Sequence, residues 1–334
     1  MSPPAPSNSQ GPPSVRRHLL HLAVAGAVLI AALLAASKLA ALSRPAWPQE
    51  PRAWVELDET ETDAIRRIAP QPADKVSLRL AIAPALANDE PMEGYRPLLE
   101  HLAYGVGKTP VFLLRRSHSE INELLRNGHC DLALVGTYSF IRGEREFGLK
   151  ALAVPRIRGQ STYHALVLIN AATPVASLLE LRSKRFASAD LFSTSGWLFP
   201  AVWLREKGED PNVFFGEHLI TGSHHRAFQA VASGYVDGAA VSGLVYEEIA
   251  GADPALAAKV KVLLRSEPFG IPPVAVSPRA SAELRAAVLA ALLGLREDPA
   301  GRQLLATLGI ECFVVPEDKL YDSVRKAVDT WERK

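Results

Sequence analysis

Two short polar clusters carry the chemistry of this chain: Ser193-Thr194-Ser195-Gly196 and, about thirty residues on, Gly222-Ser223-His224-His225. Each stands just before an amphipathic stretch and so opens a helix. A helix start presents unpaired backbone N–H groups and the positive end of the macrodipole. Hydroxyls and an imidazole added there suit a phosphate-like oxyanion. Ser or Thr at a helix start is also an ordinary N-cap, but three in a row exceed what one cap needs. Ser193, Thr194, Ser195 and Gly196 on one helix start, with Ser223 and His224 on the other, are therefore candidate ligand contacts. His225 faces elsewhere on its helix. Pro200 lies past the first turn of the first helix and predicts a kink or a late start.

The elements that must position these residues alternate along the chain. Val76–Ala83, Thr109–Leu114, Asp131–Val135, Ala151–Pro155, Tyr163–Asn170, Arg185–Ala189, Gly238–Val241, Val260–Ser266 and Val274–Ser277 read as strands. Phe214–Leu219 reads as a strand or a turn. Helical periodicity covers Tyr95–Tyr104, Ser119–Asn127, Ser177–Leu181, Ser195–Lys207, His224–Ser233, Ala280–Glu297, Pro299–Leu308 and Tyr321–Arg333. Short apolar strands alternating with helices indicate parallel α/β architecture. No internal repeat of short period is visible.

Composition narrows the function classes. A chain of 334 residues, 48% hydrophobic, supports a large core and two lobes. With 37 basic and 36 acidic residues scattered along it, the chain lacks the clustered basic footprint of a nucleic-acid partner. The two cysteines, Cys130 and Cys312, have no zinc-type spacing, and no metal or cofactor is expected. Cys130 reads as a buried structural thiol; a ligand-contacting thiol is the sharper alternative.

The N-terminal part points to export. Residues 1–18 are Pro/Ser-rich, read as disordered, and end in Arg16-Arg17-His18. Residues 19–42 form an apolar segment, a signal or anchor helix. The preceding positive charge puts the rest of the chain outside the cytoplasm. The segment reads as an uncleaved inner-membrane anchor, with a cleaved signal peptide as the alternative. Residues 43–75 are a Pro-rich linker, and folded structure begins near Val76.

Taken in order, several motifs resemble one family. They are Gly94-Tyr95-Arg96-Pro97-Leu98, then Gly128-His129-Cys130-Asp131-Leu132-Ala133-Leu134-Val135-Gly136, and Ser193-Thr194-Ser195-Gly196 with Pro200. Asp210-Pro211, Phe214-Phe215, Gly222-Ser223-His224 and the stretch from Ala230 to Asp237 follow. Together they resemble the phosphonate/phosphite/phosphate-binding proteins of bacterial ABC importers, over roughly Val76 to Trp331. The resemblance implies a two-lobed type II periplasmic binding protein fold, with mixed, mostly parallel sheets and a hinge. Lobe 1 would comprise residues 76–162 and 274–334, and lobe 2 residues 163–273. The ligand would lie between the lobes. Ser193, Thr194 and Ser195 would donate hydroxyl and amide hydrogens, and His224 a ring N–H. Thr137 and Tyr138 would contribute from the other lobe, and Tyr95 could line the cleft.

Relatives that bind an aminoalkyl phosphonate carry acids in the cleft, including one in the segment that returns to lobe 1. Here that segment reads Phe269-Gly270-Ile271-Pro272-Pro273-Val274, and Gly238 to Val245 is also free of acids. A buried ammonium would lack a partner, which favours phosphate, phosphite or a short alkylphosphonate. The expected function is extracytoplasmic, non-catalytic capture of such an anion for an ABC permease. The first alternative is a membrane-tethered sensor presenting an oxyanion, arsenic included, to a sensor kinase. The second is a hydrolase built on Ser195, His224 and Asp237, although no G-x-S-x-G elbow surrounds the serine.

Overall fold

In strand β1 (Ser77–Ile82), Leu78, Leu80 and Ile82 face one apolar layer and Ala81 faces the other. This period of two is what a strand buried on both sides requires. The computed structural model describes residues 76–82, 91–115 and 117–333, all within one compact unit. The expected disordered terminus, apolar helix and linker lie outside the described residues. Among those described, no helix is long and apolar enough to cross a membrane.

The first lobe holds β1, α1 (Pro91–Gly105), β2 (Thr109–Leu113), α2 (His118–Asn127), β3 (Leu132–Leu134), α3 (Thr137–Phe147) and β4 (Lys150–Arg156). The chain then crosses through β5 (Thr162–Tyr163). The second lobe holds β6 (Ala165–Asn170), β7 (Arg185–Ser188), α4 (Phe199–Glu206), β8 (Glu217–Ile220), α5 (His224–Ala232), β9 (Gly238–Ser242), α6 (Gly243–Ala252) and β10 (Val260–Arg265). It returns through β11 (Phe269–Gly270) to β12 (Val274–Val276), α7 (Ala282–Gly294), α8 (Pro299–Thr307), β13 (Cys312–Val314) and α9 (Asp322–Glu332).

The sheets run β13-β4-β12-β3-β1-β2 and β10-β6-β9-β7-β8. β5 and β11 pair antiparallel, Phe269 opposite Tyr163, so both crossings are tied into one ribbon between the lobes. Each sheet is mixed. The three strands at one edge are parallel; β12, β4 and β13 in the first sheet, and β6 and β10 in the second, pair antiparallel. The parallel share is smaller than strand–helix alternation suggests, because the strand that follows each crossing, β6 or β12, enters its sheet reversed, as does β13.

Several elements escape the sequence pattern, among them α3, α6 and β13. In α3 a glycine, Gly143, sits inside the helix and weakens the local signal. α6 opens on Gly243 and has no clean polar face. β13 is only three residues long. The sequence stretch 195–207 divides in two: a π turn over Thr194–Leu198, with Leu198 N–H donating to Ser193 C=O at 3.0 Å, precedes α4, where Pro200 sits in the first turn.

The two lobes repeat one unit at long range. Arg79 and Arg185, Ser117 and Ser223, His118 and His224, Gly128 and Gly234, and Asp131 and Asp237 are all 106 positions apart. The strand register repeats at the same offset: Leu80 pairs Leu132 in the first sheet, and Phe186 pairs Gly238 in the second. In each lobe a serine N-caps the helix and accepts an amide hydrogen, Ser117 from Glu120 at 3.3 Å and Ser223 from Arg226 at 3.1 Å. In each the helix is followed by a glycine at positive φ, 71° at Gly128 and 73° at Gly234. In each an aspartate then clamps the first strand. Asp131 accepts from Arg79 Nη2 at 2.7 Å and from the Arg79 amide at 2.8 Å; Asp237 accepts from the Arg185 amide at 3.0 Å. The repetition brings the first residue of α2 and the first residue of α5, both histidines, to corresponding places.

Candidate ligand-binding site

The loop after β7 leads into the π turn, and Ser223 caps α5 beside it, so the two polar clusters meet. His224 Nε2 lies 3.3 Å from Ser193 Oγ and 3.3 Å from Ser195 Oγ. Ser193 Oγ also accepts the Gly196 amide hydrogen at 3.0 Å. On the far side of the ring, Ser242 N–H donates to Nδ1 at 3.2 Å. An Nδ1 that accepts leaves the proton of the neutral ring on Nε2, so the ring presents a donor to the two serines. Ser195 and His224 are only 2% and 4% exposed. Burial first, then the neighbouring imidazoles of His118 and His225, push the His224 pKa down to about 3.

Thr194 does something different. Its Oγ1 accepts the Tyr138 amide hydrogen at 2.8 Å. That amide belongs to the first turn of α3, which has Gly136 at its N-cap and no side-chain cap of its own. Thr194 thus caps a helix of the opposite lobe. Thr137 Oγ1 donates to Gly270 C=O at 2.9 Å, tying the same helix start to the ribbon. The Tyr138 ring stacks on Phe192 at 6.0 Å and interacts with Trp331, so the backbone of Tyr138, rather than its phenol, reaches the polar centre. Tyr95 is half-buried and packs against the first lobe's core; burial and then Glu248, on α6, raise its phenol to about 12. Its phenol is thus within electrostatic reach of the second lobe, while, among the described residues, no hydrogen bond ties it to the polar centre.

Two residues at the centre went unread in the sequence. Tyr163, on β5, is buried, which raises its pKa, and its hydroxyl interacts with those of Ser195, Thr194 and Thr137. His118, the first residue of α2, is 1% exposed, and neither ring nitrogen has a hydrogen-bond partner. Its ring lies against Gly136, where an added Cβ would come within 2.7 Å of Cε1. The same ring acts electrostatically on His224 and on Asp190, in the loop before Ser193. The 106-residue offset was the sequence signal for His118.

The geometry also removes two alternatives. The Asp237 carboxylate binds Arg185 at the start of β7, and His224 Nδ1 accepts rather than donates, so Ser195, His224 and Asp237 form no triad. Cys130 lies in the first lobe's core and donates to Leu132 C=O at 3.0 Å; burial pushes its thiol up to about 12, far from a thiolate. Among the described residues, no group of three or more His, Cys, Asp or Glu could hold a metal ion. The arrangement can hold an oxyanion with hydroxyls, helix starts and imidazole.

Several solved structures share this architecture. The binding protein component of an ABC phosphonate transporter from Pseudomonas aeruginosa superposes with a TM-score of 0.70 at 20% identity, covering 76% of this chain and 86% of that one. PhnD1 from Prochlorococcus marinus, in complex with methylphosphonate, gives 0.67 at 16% identity over 77% and 99%. A Xanthomonas citri protein bound to chloride gives 0.63 at 21% identity over 76% and 95%. At these identities the likeness establishes the type II fold. Residues 80–321 match the family described as "ABC transporter, phosphonate, periplasmic substrate-binding protein". With most of its length matched and both lobes in the expected architecture, the chain belongs to the family of periplasmic substrate-binding proteins of ABC phosphonate transporters.

Proposed function

We propose that this chain captures a small phosphorus oxyanion between its lobes, phosphate, phosphite or a short alkylphosphonate, and delivers it to an ABC permease. The observation that carries the reading is the convergence of the Ser193 and Ser195 hydroxyls on His224 Nε2, beside the Tyr163 phenol. These are neutral donors at helix starts, suited to tetrahedral oxygens. Methylphosphonate in the Prochlorococcus relative supports the ligand class. In this reading residues 76–162 and 274–334 form one jaw and 163–273 the other, with β5 and β11 as the hinge. The apolar segment 19–42 would tether the receptor to the inner membrane.

A thermal-shift panel on the full-length protein tests this. A ligand at a hundredfold excess over its Kd stabilises the fold by about 2.7 kcal/mol, which raises Tm by about 5–10 °C. Phosphate, phosphite or methylphosphonate is expected to give that shift. Aminoethylphosphonate is expected to give less, because neither 238–245 nor 269–274 supplies an acid for its ammonium. Absence of a shift with all three phosphorus anions would overturn the reading.

A further inference from the structure

His118 and His224 occupy the same place in the repeated unit, each the first residue of a helix capped by the serine before it. In the second lobe the imidazole is engaged: Ser242 N–H donates to Nδ1, and Nε2 meets two serines. The position matching Ser242 is Gly136, and the His118 ring lies on it without a hydrogen bond. A buried imidazole with two unpartnered nitrogens is destabilising unless something accepts its proton. The ring lies within electrostatic reach of His224 in the other lobe, so a group held between the two imidazoles would meet that N–H.

We propose that His118 and His224 close on a doubly charged tetrahedral oxyanion from opposite lobes, and that the pair takes up one proton from solvent as the anion binds. The inference rests on the ligand class proposed above and adds the charge state it selects. His118 supplies an N–H from the first lobe, as His224 does from the second. The protonated pair brings one positive charge against two negative ones, and the helix starts and hydroxyls supply the remainder.

The surroundings fit this. The charged groups acting on His118 are Asp190, from the loop after β7, and His224 from α5. Those acting on His224 are His118 and, on its own helix, His225, whose Nε2 is 3.7 Å from Glu248 of α6. Tyr163 and Thr137 face the same centre as neutral hydroxyls. None of these groups is Lys or Arg. A dianion therefore meets no fixed cation from this set, and a proton is the available counter-charge. Burial lowers the pKa of both rings, while Asp190 raises that of His118. An anion in contact with the rings reverses the sign of the burial effect. The ring with no competing hydrogen bond, His118, is the one that charges.

Calorimetric titration of the full-length protein with methylphosphonate tests this, in buffers of different ionisation enthalpy and at a pH where the free ligand is doubly ionised. About one proton taken up per ligand is expected, with affinity falling about tenfold per pH unit as pH rises. In His118→Gln, proton uptake and the pH slope are expected to collapse, with affinity at least about tenfold weaker but still measurable through the second-lobe donors. Uptake unchanged in that variant would mean the proton stays on the ligand and would overturn the proposal. Histidine-selective 15N NMR of the unmodified protein gives an independent reading. One buried ring should shift to imidazolium on adding methylphosphonate, and two rings remaining neutral in the complex would also overturn it. Failure of phosphate, phosphite and methylphosphonate to bind at all would instead remove the ligand class, and this inference with it.

Discussion

Replacing His224 by alanine is expected to weaken binding of methylphosphonate or phosphate by one to two powers of ten. A hydrogen bond to a charged group contributes about 1.5–3 kcal/mol, and each 1.4 kcal/mol is tenfold in Kd. The imidazole is held from behind by the Ser242 amide, which fixes Nε2–H toward Ser193 and Ser195. Truncation therefore removes an oriented donor and leaves both hydroxyls without their common partner. Stability falls as well, since the Ser242 amide loses its acceptor, so affinity is to be measured well below the unfolding temperature. Titration calorimetry with matched circular dichroism separates the two effects. An affinity within twofold of the unsubstituted protein, with a native spectrum, would remove His224 from the site.

Acidification of the ligand-free protein is expected to destabilise it well above the range where carboxylates titrate. The His224 pKa is lowered from 6.5 to about 3 by burial. The unfolded chain then binds a proton between those values that the folded chain refuses, so stability is full above 6.5 and falls as pH drops toward 3. At pH 5 the loss from this group alone is about 2 kcal/mol. His118, lowered in the same direction and for the same first reason, adds to it. Tm should drop by at least about 4–8 °C between pH 7.5 and pH 5. Saturating methylphosphonate should flatten the drop, because the anion favours a charged imidazole. A Tm independent of pH over that interval would mean that neither ring is held neutral.

The residues at the site were legible in proportion to how local their signals are. Ser193-Thr194-Ser195-Gly196 and Ser223-His224 announce helix starts in a few consecutive letters, and these two clusters meet within hydrogen-bond distance. The role of Thr194 was not legible, because its partner is an amide of the opposite lobe. Tyr138 and Tyr95 sit near the right segments, but a strand-to-helix turn does not say which way a ring points. Tyr163 is invisible locally: it reads as the start of one long strand, whereas the chain breaks at His164 and pairs Tyr163 with Phe269, more than a hundred residues away. His118 needed the comparison of one lobe with the other. Its helix start, Ser117-His118, matches Ser223-His224 at an interval no short-period repeat reveals. The alternation of strands and helices identified the layers; the reversed strands beside the crossings come from tertiary pairing.

The most direct test of the account is a calorimetric titration of methylphosphonate into the full-length protein and into its Ser193→Ala/Ser195→Ala double variant. The expected result is saturable one-to-one binding to the unsubstituted protein and a loss of at least about a hundredfold in the variant, as two hydroxyl donors to a charged ligand imply. Equal affinity in both proteins, with the variant folded, would contradict the assignment of this cleft as the anion site.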